Sequence, residues 1–284
     1  IISFIVLYLS SFFKVFPSRS FEVGIAEANG IGIATGLAIK GLIPIISSFG
    51  AFITGKFLEI RTSVSYNKAP VKIIGTHGGF IGKDGATQSG TQDISLMMSL
   101  PDFEVFQPCS PIETVKILDH IVKSKRPSYV RICRNNVGEV YGKNYKFEPG
   151  KPIEIVKSKK NIIISSGPLI FNCLEAIEIL SRKKIEVGLI NINSFKPFDR
   201  NVLKNLIKTK KNILIVEDHV SHGGLSSLVY ETITKSKLKI SNIKSLNLDE
   251  KFSESGNPSD LEKVNGFDAK SLAKIFYEKF NLAK

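Results

Sequence analysis

The chain of 284 residues carries 39 Lys and Arg against 26 Asp and Glu, a formal net charge of +13, and 43% of its residues are hydrophobic. The length allows one large domain or two domains of ordinary size, and the hydrophobic fraction is typical of a globular protein with a packed core. The positive charge would suit a nucleic-acid-binding protein, but no recognition motif or stripe of basic and aromatic residues accompanies it, so we do not favour that class.

The three cysteines, Cys109, Cys133 and Cys173, lie far apart and form no CxxC or Cys/His pattern. We therefore expect no disulfide framework, zinc site or cysteine nucleophile, and we predict a reducing, cytoplasmic compartment. The apolar start, IISFIVLYLSSFF, is shorter than the roughly 20 residues that cross a bilayer and lacks the positive charges of a signal peptide. We interpret it as an altered leading segment, or as a chain entered part-way, and not as a membrane anchor.

Strand-like and helix-like segments alternate through the first half. Helix NGIGIATGLAIKG is followed by strand LIPIISS, a helix through about Tyr66, strand VKIIGT, a glycine-rich loop and helix DISLMMSL. Strand DFEVFQP, helix PIETVKILDHIVKSK and strand SYVRICR complete this half. The strands are continuous apolar runs, which is typical of a parallel sheet covered on both faces.

After a stretch rich in Gly, Pro and charge, a second series begins with strand NIIISSG and a helix to about Lys183. Strand IEVGLININ, a helix with Asp199 as its N-cap, strand NILIVED, loop HVSHGGL and another helix follow. The fold class is α/β, with two α/β domains built on mainly parallel sheets. We place the first domain at 1–140, a linker at 141–160 and the second domain at 161–284.

Two features of the first domain are candidates for binding. Glu27 lies among apolar and small residues between a strand and a helix, where a carboxylate is costly unless it is hydrogen-bonded. It is either a helix N-terminal acid satisfied by backbone amides or a functional carboxylate that shares a proton with a ligand nitrogen. Phe49 and Phe52 either pack into the core or form a flat slot for an aromatic ring.

The loop GTHGGFIGKDGATQSGTQDI carries a third candidate. His77 lies just outside the carboxyl end of a predicted strand, where α/β proteins place functional residues. Asp84 is free to cap the backbone or to accept a hydroxyl. Glycines let this backbone approach a ligand closely, and they are Gly78, Gly79, Gly82 and Gly85. A purely structural His77 is the alternative.

Two arginines, Arg131 and Arg134, end another predicted strand. They are an odd number of residues apart, so only one of them can point to a given face. An arginine at this end of a sheet suits a phosphate, which it binds in a bidentate manner.

Several motifs in a fixed order resemble the carboxyl-terminal half of transketolase, in the form that some prokaryotes encode as a separate subunit. They are VGIAEANGIGIATGLA, SFGAF, VKIIGTHGGFIGKDGATQ, VED with SHGGL, and FSESGNPSDLEKVNGFDA. The resemblance covers the chain from about FFKVFPSRSFEVG onward. It implies a pyrimidine-binding domain, then a transketolase carboxyl-terminal domain, with thiamine diphosphate and Mg²⁺ as cofactors for two-carbon ketol transfer between sugar phosphates.

The resemblance also implies roles for individual residues. Glu27 would hydrogen-bond the aminopyrimidine ring and favour the imino form that takes the proton from the reactive carbon, and Phe49 and Phe52 would wall that ring. His77 and Asp84 would contact the sugar hydroxyls or stabilise the alkoxide. Arg134 would bind the substrate phosphate.

One position departs from the family. Gln88, in DGATQ, stands where the family has His, and an amide cannot exchange a proton near neutral pH. A different sugar or a lower rate is therefore expected.

The sequence contains no GDG motif, which with NN holds the diphosphate and Mg²⁺ in this family. The resemblance therefore implies an amino-terminal partner subunit that supplies these ligands, an active site at the interface, a heterotetramer and no metal ligand from this chain. Two alternatives stay open. One is a related enzyme, such as a 1-deoxyxylulose-5-phosphate synthase or a transketolase-like enzyme of specialised sugar metabolism. The other is a non-catalytic binding or regulatory relic of the fold.

Overall fold

The computed structural model describes residues 2–3, 10–79, 83–252 and 254–280. Most of the leading segment interpreted above, and Gly82 of the glycine-rich loop, lie outside these residues. In the part of the chain that is described, no helix is long and apolar enough to cross a membrane.

The first half of the chain alternates between strands and helices. Its elements are β1 (Ile2–Ser3), α1 (Ser10–Val15), β2 (Phe21–Glu22), α2 (Glu27–Ile39), β3 (Ile45–Phe49), α3 (Gly50–Thr54), α4 (Phe57–Glu59), β4 (Lys72–Thr76), α5 (Asp93–Met98), β5 (Glu104–Phe106), α6 (Pro111–Lys123) and β6 (Ser128–Arg131). A 3-10 turn spans Pro17–Arg19, and a π-helical turn spans Ile60–Ser65.

The second half continues the alternation. Its elements are β7 (Ile153–Val156), β8 (Asn161–Ser165), α7 (Leu169–Arg182), β9 (Gly188–Asn191), β10 (Ser194–Lys196), α8 (Arg200–Ile207), β11 (Asn212–Val216), α9 (Leu225–Lys235), β12 (Asn242–Leu246), α10 (Pro258–Val264) and α11 (Ala269–Lys279). Asp199 is the N-cap of α8, as predicted, because its carboxylate accepts from the backbone N–H of Asn201 and Val202.

The strands form two sheets among the described residues. One has seven strands in the order β10-β5-β6-β4-β3-β1-β2, and the other has five in the order β12-β11-β8-β9-β7. Neighbouring strands are parallel except for β10 with β5 and β7 with β9. The prediction of an α/β fold with two domains and mainly parallel sheets is confirmed.

Two short strands depart from the predicted division into two domains and a linker. β7 lies inside the 141–160 segment and pairs with β9, so the second sheet begins within the stretch predicted as linker. β10 leaves the second half of the chain and pairs with β5 at the edge of the first sheet. The backbone N–H of Gln107 donates to Asn193 O at 2.9 Å beside this pairing.

Buried aliphatic side chains fill the space between the sheets and their helices. The central strands carry them as continuous runs, such as Ile213–Val216 in β11, all of which are fully buried. All three cysteines are free thiols, and Cys109 and Cys173 are buried. Burial raises the pKa of Cys173 to about 12, which fits a structural thiol.

Candidate functional site

An open cleft of about 350 Å³ lies at the start of α2 and is lined by Ile25, Glu27, Ala51, Phe52, Gly55 and Lys56. Glu27 is the first residue of α2 and is 8% exposed. Its Oε1 accepts a hydrogen bond from Ser48 Oγ at 3.0 Å. No described residue donates a side-chain hydrogen bond to its Oε2, so this carboxylate is half satisfied and open to a ligand.

The aromatic side chains predicted beside Glu27 form one stack with His77. The rings of Phe49 and Phe52 are nearly parallel, with centroids 5.3 Å apart. The imidazole of His77 stacks on Phe49 at 3.7 Å. Phe52 lines the cleft and is 38% exposed. Phe49 contacts both Phe52 and His77 and therefore lies between them. The structure thus connects the Glu27 cleft to His77 through aromatic contacts.

Hydrogen bonds make a second connection between Glu27 and His77. Thr76 Oγ1 donates to Ser48 O at 3.3 Å, and His77 Nδ1 lies 2.9 Å from Thr76 Oγ1. The Thr76 hydroxyl has a single proton. With that proton donated to Ser48 O, the Thr76 oxygen accepts from His77 Nδ1–H, and in this tautomer Nε2 is an acceptor.

The environment of His77 favours the neutral imidazole. Burial lowers the pKa of His77 below its ordinary value, the nearby Arg134 guanidinium lowers it further, and Asp84 partly offsets both. A neutral imidazole with a free Nε2 can accept a proton or a hydroxyl hydrogen bond from a substrate.

Asp84 and Arg134 are brought together as an ion pair near His77. Their side chains are 35% and 49% exposed, so both groups can still reach a ligand in the solvent. Arg134 also lines a small cavity between the two halves of the chain, with Asn172 among its other lining residues. Gln88 is half-buried, and its Oε1 accepts from Thr87 Oγ1 at 2.7 Å.

The structure also shows a buried ionic cluster that the sequence patterns do not predict. Arg131, 1% exposed, donates from Nη1 to Asp218 Oδ1 at 2.8 Å, and its Nε lies 3.2 Å from Asp93 Oδ2. Tyr129 Oη donates to the same Asp93 oxygen at 2.6 Å. The sequence makes Arg131 a candidate for phosphate binding. Its carboxylate partner Asp218 is 87 residues away, so no local sequence pattern predicts their pairing.

Comparisons with known proteins find two matching domain families and several relatives. The family described as "Transketolase, pyrimidine binding domain" matches residues 8–139, and "Transketolase, C-terminal domain" matches residues 150–272. A protein of Methanocaldococcus jannaschii described as a transketolase C-terminal section is 35% identical, with 94% of this chain and 84% of that protein covered. One subunit of an apulose-4-phosphate transketolase from Actinobacillus succinogenes is 30% identical, over 94% of this chain and 86% of its own length.

A related enzyme and a solved structure complete these findings. The 1-deoxy-D-xylulose-5-phosphate synthase of Halothermothrix orenii is 29% identical over 93% of this chain, which spans 42% of that longer protein. A solved structure described as a split gene transketolase, inactive beta4 tetramer, superposes with a TM-score of 0.89 at 30% identity and covers 100% of this chain and 93% of that one.

Proposed function

Because this chain belongs to the transketolase family, we propose that it is the carboxyl-terminal subunit of a split transketolase. With an amino-terminal subunit it would transfer a two-carbon ketol unit between sugar phosphates in the cytoplasm, using thiamine diphosphate and Mg²⁺. The observation that carries the proposal is the half-satisfied carboxylate of Glu27 in an open cleft with an aromatic wall.

The residues of this cleft fit the aminopyrimidine ring of thiamine. A carboxylate oxygen that lines an open cleft can accept a hydrogen bond from a protonated ring nitrogen, and the exposed face of Phe52 can pack against the flat ring. Thiamine diphosphate, when bound, supplies the reactive carbon that carries the two-carbon unit. Glu27 would hold a proton at the ring nitrogen, and Phe49 would support Phe52 from behind.

The neighbouring groups suit the sugar substrate. His77, neutral and with Nε2 as acceptor, would take a hydrogen bond from a substrate hydroxyl. Asp84 would bind a second hydroxyl, and Arg134 would bind the phosphate when its pairing with Asp84 loosens. Gln88 would contact the sugar through its amide.

Three observations support a partner subunit. The diphosphate and Mg²⁺ need charged ligands, and the GDG motif that provides them in the family is absent from this sequence. The cleft is open, and its lining residues Ile25 and Phe52 are 92% and 38% exposed, which leaves apolar surface of the kind that marks interaction sites. On the outer face of α2, a side chain added at Gly32 or Gly36 would meet nothing within 4 Å. A subunit that carries the GDG motif would cover this face, and two such pairs would form a heterotetramer.

A second candidate function is formation of 1-deoxy-D-xylulose 5-phosphate. The synthase relative matches 93% of this chain at an identity close to that of the apulose-4-phosphate transketolase relative. Gln88 in place of the family histidine leaves the identity of the sugar open between these reactions.

The test is to express the chain with a subunit that carries GDG…NN and to assay the purified pair. Ketol transfer is measured against a panel of phosphorylated and unphosphorylated sugars, and formation of 1-deoxyxylulose phosphate is measured in parallel. The chain alone is the control and should show negligible turnover. Ketol transfer by the pair supports the proposal, formation of the deoxy sugar supports the second candidate, and a pair that assembles with thiamine diphosphate but is inactive on every substrate identifies a relic.

A further inference from the structure

The buried cluster around Arg131 has no role in the function proposed above. Its guanidinium joins two carboxylates from different halves of the chain: Asp93 at the start of α5, and Asp218 just after β11. Nη2 donates twice more, to Asp218 O at 3.0 Å and to Gly90 O at 2.6 Å. Such a buried cation is stable only with these partners in place.

The same cluster touches the backbone just after His77. A Cβ added at Gly78 would overlap Arg131 Cγ, and one added at Gly79 would overlap the Asp218 carboxylate. The backbone therefore lies directly against these two side chains. The Gly79 N–H donates to Gly90 O at 2.9 Å, so Arg131 and Gly79 share one acceptor.

His77 itself has a backbone conformation that needs support. Its φ is +57°, in the left-handed region that is unfavourable for a residue with a Cβ. The Gly90 N–H donates to His77 O at 3.4 Å, and Gly90 O accepts from Arg131. Hydrogen bonds through Gly90 therefore link the backbone of His77 to the Arg131 guanidinium. In this backbone conformation the imidazole stacks on Phe49, with ring centroids 3.7 Å apart.

We propose that Arg131 and Asp218 are positioning residues that hold His77 in its left-handed conformation, so that the second domain sets the orientation of a first-domain site residue. Asp218 anchors the guanidinium, the guanidinium anchors Gly90 and supports Gly78, and these hold His77 against Phe49. A catalytic role for His77 rests on the proposed function, whereas its positioning by Arg131 and Asp218 does not.

A second buried cluster provides a matched control. Glu113 of α6 is fully buried and accepts from Asn191 Nδ2 at 3.1 Å and Asn193 Nδ2 at 2.6 Å, both in the second half of the chain. It therefore also joins the two halves, but these hydrogen bonds lie outside the histidine loop. Glu113→Gln should weaken the fold without altering the environment of His77.

The experiment compares Asp218→Asn with Glu113→Gln in the full chain without its partner. The chain has four histidines, so imidazole signals in NMR spectra of histidine-labelled protein can be assigned with single His substitutions. In the wild type, we expect the ring current of Phe49 to shift the His77 ring protons, and burial to keep the pKa of the imidazole below its ordinary value. Asp218→Asn should remove part of the ring-current shift and raise the titration midpoint, and hydrogen exchange at Gly79 and Gly90 should quicken by about tenfold or more.

The expected result is that Glu113→Gln leaves all three His77 readouts unchanged at a similar loss of thermal stability. The proposal is overturned if Asp218→Asn is folded and its His77 signals equal those of the wild type, or if Glu113→Gln shifts them as much. If Asp218→Asn does not fold, Arg131→Lys replaces it, because Lys keeps the buried charge but cannot hold Asp218 and Gly90 together with the planar fork. Arg131→Lys is then judged by the same two criteria.

These readouts need neither cofactor nor partner, so they separate the two proposals. If the wild-type pair is inactive and Asp218→Asn displaces His77 in the chain alone, the transferase is refuted and the positioning is left intact. An active pair in which Asp218→Asn lowers kcat only in proportion to the folded fraction, with unchanged His77 signals, refutes the positioning and leaves the transferase intact.

Discussion

The substitution Glu27→Gln changes charge at the cleft and almost nothing else. The side chain keeps its length and one oxygen, so Ser48 Oγ can still donate to it as it does at 3.0 Å in the wild type. The change falls on Oε2, which becomes an NH₂ group that faces the cleft. A protonated ring nitrogen that would have met an acceptor then meets a donor, and the amide cannot exchange a proton with the ring near neutral pH.

The expected loss of turnover far exceeds the loss of stability. Removing a positioned acid or base lowers rates by about 10² to 10⁴, which corresponds to about 3–5 kcal/mol in the activation barrier. For folding, the lost interaction with the N-terminus of α2 contributes about 0.3–1 kcal/mol, and the relief of a buried charge offsets part of it. The free energy of unfolding should therefore change by about 1 kcal/mol or less.

The assay measures initial rates of ketol transfer by the reconstituted pair at saturating thiamine diphosphate and Mg²⁺, and thermal unfolding of the same samples. Glu22→Gln is the matched control, since Glu22 is exposed, lies five residues earlier and accepts from the Gly24 N–H at 3.0 Å. It should keep turnover within about twofold of the wild type because a surface charge contributes little. If Glu27→Gln retains more than about a tenth of wild-type turnover, the reasoning from general acid–base chemistry is wrong.

Three further predictions concern the aromatic wall, the sugar and the fold. Phe52→Ala should weaken thiamine diphosphate binding to the pair by about 1–3 kcal/mol because the ring loses an apolar wall, whereas Tyr230→Ala, equally exposed at 38%, should not; equal titrations of both contradict this. Gln88→His introduces a group that titrates near neutral pH and should shift the sugar preference in a substrate panel. An identical substrate profile would show that residue 88 does not set this preference. Burial lowers the pKa of His219 from 6.5 to about 4, so the unfolded chain binds the proton more readily and stability is lost as pH falls from 6.5 to about 4, by about 3 kcal/mol over the whole shift. In urea unfolding, the free energy of unfolding should depend less on pH for His219→Gln and as in the wild type for the exposed His222→Gln. The same pH dependence in both variants would refute the role of His219.

Much of the fold was predictable because its signals are local. The central strands are continuous apolar runs, and a run such as NILIV is buried as β11 in the structure. The helix predicted through Tyr66 is less regular, since α3, α4 and a π-helical turn follow one another there. Gly55 and Lys56 interrupt it, and apolar periodicity does not register a change in the hydrogen-bonding pattern.

The sequence singles out candidate site residues but not the contacts between them. Glu27, Phe52 and His77 stood out because each follows or precedes a strand at the sheet edge where ligands bind. The salt bridge between Asp84 and Arg134 could not be foreseen, because its partners are 50 residues apart and each suited a substrate by itself. Short strands such as β10 were not predicted, because three residues are too few to show a hydrophobic periodicity.

The pairing of β10 with β5 means that the two domains are not separable parts. A fragment that ended near residue 150 would leave β5 with unpaired amide and carbonyl groups along an open edge, and such edges recruit other chains into aggregates. Swapping the second domain among relatives, or producing the first one alone for binding studies, would therefore require a substitute strand or a charged, proline-bearing edge to keep the protein monodisperse.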